Sequence, residues 1–232
     1  MKPYVYNDFL FNIIWPPSPL PHLVHVVIEW PLKHNAYDFC SFLQFFCLFS
    51  FQTNYQEDPE TFIKELEGIS TLRTLSCIVP RADIEGIHTL KKYYCQLHFI
   101  QSRFRIKGDS EDGPFAFKWA EIYNGQTFTN PHLDYELASV LYNIGALHMM
   151  LGNMQDRTET EGLRVACSHF QYAAWSFQTI KEKYQTDPST DLSPELMQFL
   201  YQICLAQVNY CLVFIKDFFC STGPSIKYVS TS

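Results

Sequence analysis

Residues 133–153, LDYELASVLYNIGALHMMLGN, and 161–184, EGLRVACSHFQYAAWSFQTIKEKY, decide the fold. In the first, Leu137, Leu141, Ile144, Leu147, Met150 and Leu151 recur at helical spacing, and Val140 and Tyr142 widen the apolar surface almost to a full circle. A helix that is apolar on nearly all sides is enclosed by its neighbours. Asp134 stands where a helix cap is expected, and Ala138, Gly145 and Ala146 are small enough to let neighbours approach. Gly145 costs about 1 kcal/mol of helix propensity against alanine, which close packing can offset. In the second stretch, Leu163, Ala166, Phe170, Ala173, Phe177 and Ile180 form one stripe in which small residues and rings alternate. Thr158 and Glu161 have the spacing of a capping box, which starts this helix near Thr158 or Thr160.

Upstream, YQEDPETFIKELEGISTLRTL predicts a helix that opens at Asp58-Pro59. It carries Phe62, Leu66, Ile69 and Leu72 on one face and stops at Pro80. ADIEGIHTLKKYYCQLHFIQSRF predicts a second helix with Ile84, Ile87, Leu90, Tyr94, Leu97 and Ile100 inward. Two helices and a short turn make an antiparallel hairpin. KGDSEDGP at 107–114 is a loop, and the alternation of Phe115, Phe117 and Trp119, followed by Asn124-Gly125 and QTFT, signals a small β-hairpin. Downstream, Ser193-Pro194-Glu195 is a strong helix start. The helix that follows has two apolar sides, one with Leu196, Leu200, Ile203, Gln207, Tyr210 and Phe214, the other with Phe199, Cys204, Val208, Cys211 and Ile215. Such a helix is sandwiched or keeps one side for a partner. The fold class is therefore mainly α, antiparallel helical hairpins of tetratricopeptide-like packing with one small β-hairpin.

The first 53 residues are different. Six of the 13 prolines fall within positions 1–31, and PPSPLP at 16–21 fits a polyproline II ligand, an irregular arm, or sequence foreign to the helical domain. FCSFLQFFCLFSF at 39–51 is apolar but too short to span a bilayer, which takes about 20 residues, and it contains no Lys or Arg. The organisation expected is an arm at 1–53, a helical domain at 54–216 and a polar tail at 217–232.

Net charge is −7 from 17 basic and 24 acidic side chains, which argues against a general nucleic-acid binder because that needs a basic face. Eight cysteines include no CxxC and no Cys/His pair at zinc-finger spacing; several fall in apolar helical patterns, the setting of reduced structural thiols. No His-Cys phosphatase loop, GxxxxGK[ST], GxSxG or HExxH occurs. His148 and His169 have no carboxylate or Cys at i+3 or i+4 and read as packing histidines, and Tyr135-Glu136 reads as a packing ring beside a first-turn acid. Nothing calls for a cofactor or a metal, and no catalytic residue is assigned; a cysteine-dependent enzyme is the remaining alternative to a binding function.

NYQEDPETF, VPRADIEG, LKKYYCQLHFIQSRF, FKWAEIYNG, DYELASVLYNIGALHMMLGNM, EGLRVACSHFQYAAWSF, DLSPELMQFL and LAQVNYCL, in this order, resemble the Bro-one domain of ALIX-type ESCRT adaptors, within it the His-domain protein tyrosine phosphatase branch. The resemblance implies a curved, mostly helical, non-enzymatic module that is cytoplasmic and endosome-associated. It binds the C-terminal amphipathic helix of an ESCRT-III charged multivesicular body subunit and meets membrane only through that partner. It carries the groove's apolar contact onto Leu212, a basic contact onto Lys216, and start-of-helix contacts onto Thr160 and Arg164, with Thr160 departing from the usual acid. It also implies a truncated domain, since the family's helices beyond the position of Lys216, which complete the groove, are replaced here by CSTGPSIKYVSTS. A fragment without autonomous binding is the second expectation.

Overall fold

Five α-helices and one two-stranded sheet make up the described part of the chain. The computed structural model describes residues 63–78, 81, 83–103, 117–121, 126–184 and 190–222, with side chains in the last helix as far as Lys216. The 1–53 arm, the Asp58-Pro59 start, Pro80 and the Asn124-Gly125 turn lie outside these residues. The elements are α1 (Ile63–Arg73) running into a π-helical turn (Thr74–Ile78), α2 (Ile84–Arg103), β1 (Phe117–Ala120), β2 (Thr127–Asn130), α3 (Leu133–Asn153), α4 (Thr160–Lys183), a 3-10 turn (Thr190–Leu192) and α5 (Pro194–Thr222). Helix α5 therefore continues past Lys216.

Helices α2 to α5 stack in chain order, each against the next, and α1 covers α2. Helix α3 is enclosed as its pattern requires: Leu137, Leu141, Ile144, Leu147 and Leu151 are buried, and so are Ala138, Val140 and Tyr142. At Gly145 a Cβ would stand 3.1 Å from the Phe177 ring and from Ser176 Cβ, so the missing side chain is what lets α4 lie this close. Tyr142 meets Phe177 edge-on, with ring centroids 5.6 Å apart. The α4 stripe from Leu163 to Ile180 is buried throughout. The hairpin pairs antiparallel in the register Phe117↔Asn130 to Ala120↔Thr127, with Phe117 and Trp119 turned into the core.

Helix starts depart from expectation at two places. Asp134 is not the cap of α3; that position is His132, without a side-chain bond, while Asp134 Oδ1 accepts from Gln101 Nε2 at 2.6 Å and so ties α3 to α2. The capping box at Thr158 does not form. Asp156 takes both the Thr158 amide (2.9 Å) and its hydroxyl (2.6 Å), and the cap is Glu159 with no side-chain bond. What α2 and α4 share instead is a glycine in the first turn: a Cβ on Gly86 would collide with the Arg81 carbonyl, and one on Gly162 with the Asp156 carbonyl. The incoming chain crosses the helix start too closely for any side chain. At α2 the Asp83 carboxylate also accepts from the Gly86 amide at 2.9 Å. Ser193 does cap α5, through a long bond from the Leu196 amide, 3.4 Å.

Two inward faces are corrected. On α2 the fully buried ring is Tyr93, with Tyr94 only half-buried and Ile84 exposed. On α5 one seam is buried, made of Met197, Leu200, Cys204, Val208 and Cys211, at spacings of three and four. It draws from both sides read in the sequence, because among the described elements α4 is the one that packs along α5. Among the described residues α5 is the one helix long and apolar enough to cross a membrane, a test that a core helix with such a seam also passes.

Candidate partner-binding surface

The surface follows from the one-sided packing of α5. Phe199, Tyr210, Leu212, Val213 and Phe214 remain between 40% and 56% exposed, which is much apolar area for one helix to leave uncovered. Leu212 itself is 49% exposed, and Lys216, one turn on, is exposed too. The first turns of α4 meet the last described turns of α5 in a separate apolar cluster, where Leu163, Ala166, Cys167 and Phe170 pack with Val208, Cys211 and Ile215. Thr160, half-buried, and Arg164, exposed, stand on those first turns of α4. The fold thus brings the four residues to the same end of the α4–α5 pair. Arg164 Nη1 lies 3.8 Å from Glu161 Oε2, a solvent-screened contact worth at most about 1 kcal/mol.

Tyr210 and Phe214, ring centroids 4.5 Å apart, belong to one of the two apolar sides read in the sequence, and both are exposed. Two residues from Leu212 is about 200° around a helix, so Tyr210 lies on the opposite flank of the seam. Arg157, from the α3–α4 connection, comes to that flank; its guanidinium lies 5.8 Å from the Tyr210 ring centre and donates to Gln207 Oε1 at 3.1 Å.

At the N-terminal end of α3, away from this surface, a buried polar hub fixes α1, α2, the hairpin and α3 to one another. Glu136 is fully buried. Its Oε1 accepts from Arg73 Nε at 2.8 Å and from Tyr93 Oη at 2.9 Å; its Oε2 accepts from Trp119 Nε1 at 2.6 Å and from Arg73 Nη2 at 3.4 Å. The first-turn acid of the sequence reading is thus the hub of the core, and the ring that belongs to it is Tyr93. Burial works against charge on Arg73, but Glu136 outweighs it and holds the guanidinium protonated. Burial, then Glu136, raises both the Tyr93 hydroxyl and the Cys77 thiol. A neutral thiol is a poor nucleophile. Burial likewise lifts Cys204 to about 12 and Cys211 to about 11, and Cys95 alone of the five described thiols is exposed.

His148 on α3 and His169 on α4 are hydrogen-bonded to each other, Nδ1 to Nδ1, at 2.9 Å. The two lie on different helices, so spacing along either one does not relate them. His148 stacks on Tyr172 with centroids 5.0 Å apart, and Lys91 Nζ, from α2, lies 4.9 Å from the centre of the Tyr172 ring. Burial first, then Lys91, lowers both imidazoles, His148 to about 3. Among the described residues no group of three or more His, Cys, Asp or Glu side chains is placed to hold a metal ion.

The family model for the BRO1-like domain matches residues 27–216. Human tyrosine-protein phosphatase non-receptor type 23 is 39% identical over 160 residues, 69% of this chain and 10% of that protein. Mouse rhophilin-1 is 34% identical over 159 residues, 68% of this chain and 24% of that protein. The chain thus spans a tenth to a quarter of these relatives. A solved structure described as an ALIX BRO1 CHMP4C complex superposes with a TM-score of 0.68 at 26% identity, over 79% of this chain and 54% of the other.

Proposed function

Because the chain belongs to the BRO1-like domain family, we propose that it is a non-enzymatic adaptor module of endosomal sorting that binds the C-terminal amphipathic helix of an ESCRT-III charged multivesicular body subunit. The observation that carries this reading is the exposed Leu212, 49% accessible beside apolar neighbours at the open end of the α4–α5 pair. An amphipathic helix needs such anchors, offered at helical spacing on a surface nothing else covers. Lys216, exposed one turn beyond, is the basic contact for an acidic residue of the incoming helix, and Thr160 and Arg164 line the α4 side. A partner of this kind is present in the solved ALIX complex, and its recruitment makes the module cytoplasmic and endosome-associated.

Titration of a fluorescently labelled ESCRT-III C-terminal peptide tests the proposal. The folded wild-type chain binds, and Leu212→Asp weakens binding by about 30-fold, the equivalent of a 2 kcal/mol hot spot. Failure of a soluble, folded wild-type sample to bind sinks the reading. It leaves the second one, in which a chain covering 54% of the ALIX BRO1 structure holds too little of the groove to act alone.

A further inference from the structure

Lys91, His169 and Tyr172 form a polar spot on the α2–α4 surface that the reading above does not use. Lys91 is half-buried, its ammonium standing over the Tyr172 ring. Among the described residues no carboxylate contributes to its charge state or to that of either imidazole. In a chain of net charge −7, a cation that meets no counter-charge among the described residues, beside two imidazoles, runs against the general trend.

The tautomers define what the spot presents. His148 is 4% exposed, and its Nε2 is buried without a hydrogen-bond partner. A buried N–H without a partner is rarer than a buried acceptor without one, so the proton of His148 belongs on Nδ1, donated to His169 Nδ1 across the 2.9 Å bond. His169, half-exposed, then carries its own proton on Nε2, away from His148. The spot offers a Lys ammonium, an imidazole N–H and the Tyr172 hydroxyl, which are donors with one formal positive charge among them. That inventory matches an oxyanion of single charge.

We propose that Lys91, His169 and Tyr172 bind a carboxylate of a partner protein, an acidic side chain or a chain end, with His148 behind them fixing the tautomer of His169. A single cation balances a carboxylate, whereas a phosphate dianion would leave a charge uncompensated at a half-buried site. The neighbouring Trp175, 55% exposed and one turn from Tyr172, offers an apolar wall to residues flanking the acid. Lys91 cannot be replaced by a neutral donor without loss, and Arg would retain the charge.

The test is an NMR titration of the full chain with acetate at constant ionic strength, chloride as the control and inorganic phosphate as a parallel arm, the imidazole signals being assigned with His169→Gln. Acetate is expected to shift the His169 signals saturably and to raise its titration midpoint, with binding at least about tenfold weaker in Lys91→Gln and largely restored in Lys91→Arg. Shifts equal to those in chloride, or undiminished in Lys91→Gln, overturn the site. Stronger binding of phosphate than of acetate overturns its assignment to carboxylates. Glutamate side-chain and C-terminal carboxylate peptides, compared next, identify which source is preferred; neither binding better than acetate overturns the protein-partner assignment.

Discussion

Replacing Glu136 by Gln removes the carboxylate that pairs with Arg73 while keeping the volume of the side chain. Arg73 is 7% exposed, so its guanidinium has little water to turn to. Tyr93 and Trp119, whose donors also end on Glu136, would compete for a single amide oxygen while the new NH2 faces donors. Removing one partner of a buried ion pair costs about 3–5 kcal/mol. Whole-domain stability is about 5–15 kcal/mol, so Glu136→Gln takes a large share of it. With a urea dependence of about 2 kcal/mol per molar, the unfolding midpoint should fall by about 2 M. Arg73→Met should cost a similar amount, because it leaves the carboxylate buried with two neutral donors. The double variant removes both charges, so its loss should be smaller than the sum of the singles by about 1–3 kcal/mol. Urea unfolding of the four proteins, followed by far-UV circular dichroism, measures this. Additivity within about 0.5 kcal/mol, or a single variant costing under about 1 kcal/mol, would refute the reasoning that Glu136 is the hub.

Gly162→Ala should destabilise the chain by more than about 2 kcal/mol through its collision with the Asp156 carbonyl, whereas Gly68→Ala, with nothing within 4 Å of the new Cβ, should stabilise it by about 0.5–1 kcal/mol from helix propensity; thermal melts decide both. Stability should fall with acid: the folded-state midpoints of His148 and His169 are lowered from an unfolded value near 6.5. The unfolded chain then binds more protons below that pH, and the contribution is full above about 6.5 and is lost as pH falls toward about 3. Urea midpoints across this range should show a shallower acid limb in His148→Leu than in wild type. Under native conditions an aromatic disulfide reagent should label Cys95 well ahead of Cys77, Cys167, Cys204 and Cys211, as their burial requires; rapid labelling of any of those four would revive a thiol-based activity, and peptide mapping would detect it.

Local periodicity carried the sequence reading wherever one neighbour geometry dominates. Helices α3 and α4 show it best: their enclosed faces follow the 3.6-residue repeat residue by residue, and even Gly145 meets the close approach its cost implied. It failed where a choice between adjacent positions depends on a distant partner. Tyr93 and Tyr94 differ by one position on α2, and what draws Tyr93 inward is Glu136, 43 residues away. Arg73 and Glu136 are 63 apart, and His148 and His169 sit on different helices, so no scan along one helix relates them. The capping box at Thr158 had the right spacing, but Asp156, nearer to the Thr158 amide and hydroxyl, took both. As for the surface, Phe199, Tyr210 and Phe214 were legible as apolar but split between the two sides of α5, Leu212 came from the family resemblance and Val213 from neither, because which residues face water depends on the angle at which α5 lies on α4.

The unequal coverage of α3 and α5 has a kinetic counterpart. Amide protons exchange with solvent through openings whose free energy follows local packing. In a stack where each helix touches its neighbours in turn, opening can begin at the more exposed layer and spread inward. Deuterium uptake should therefore be graded across the molecule: slowest in α3, intermediate in α4, and fastest along α5 toward Lys216. A helix bound across Leu212 would act as the next layer of the stack, slowing uptake in α5 most and in α3 least.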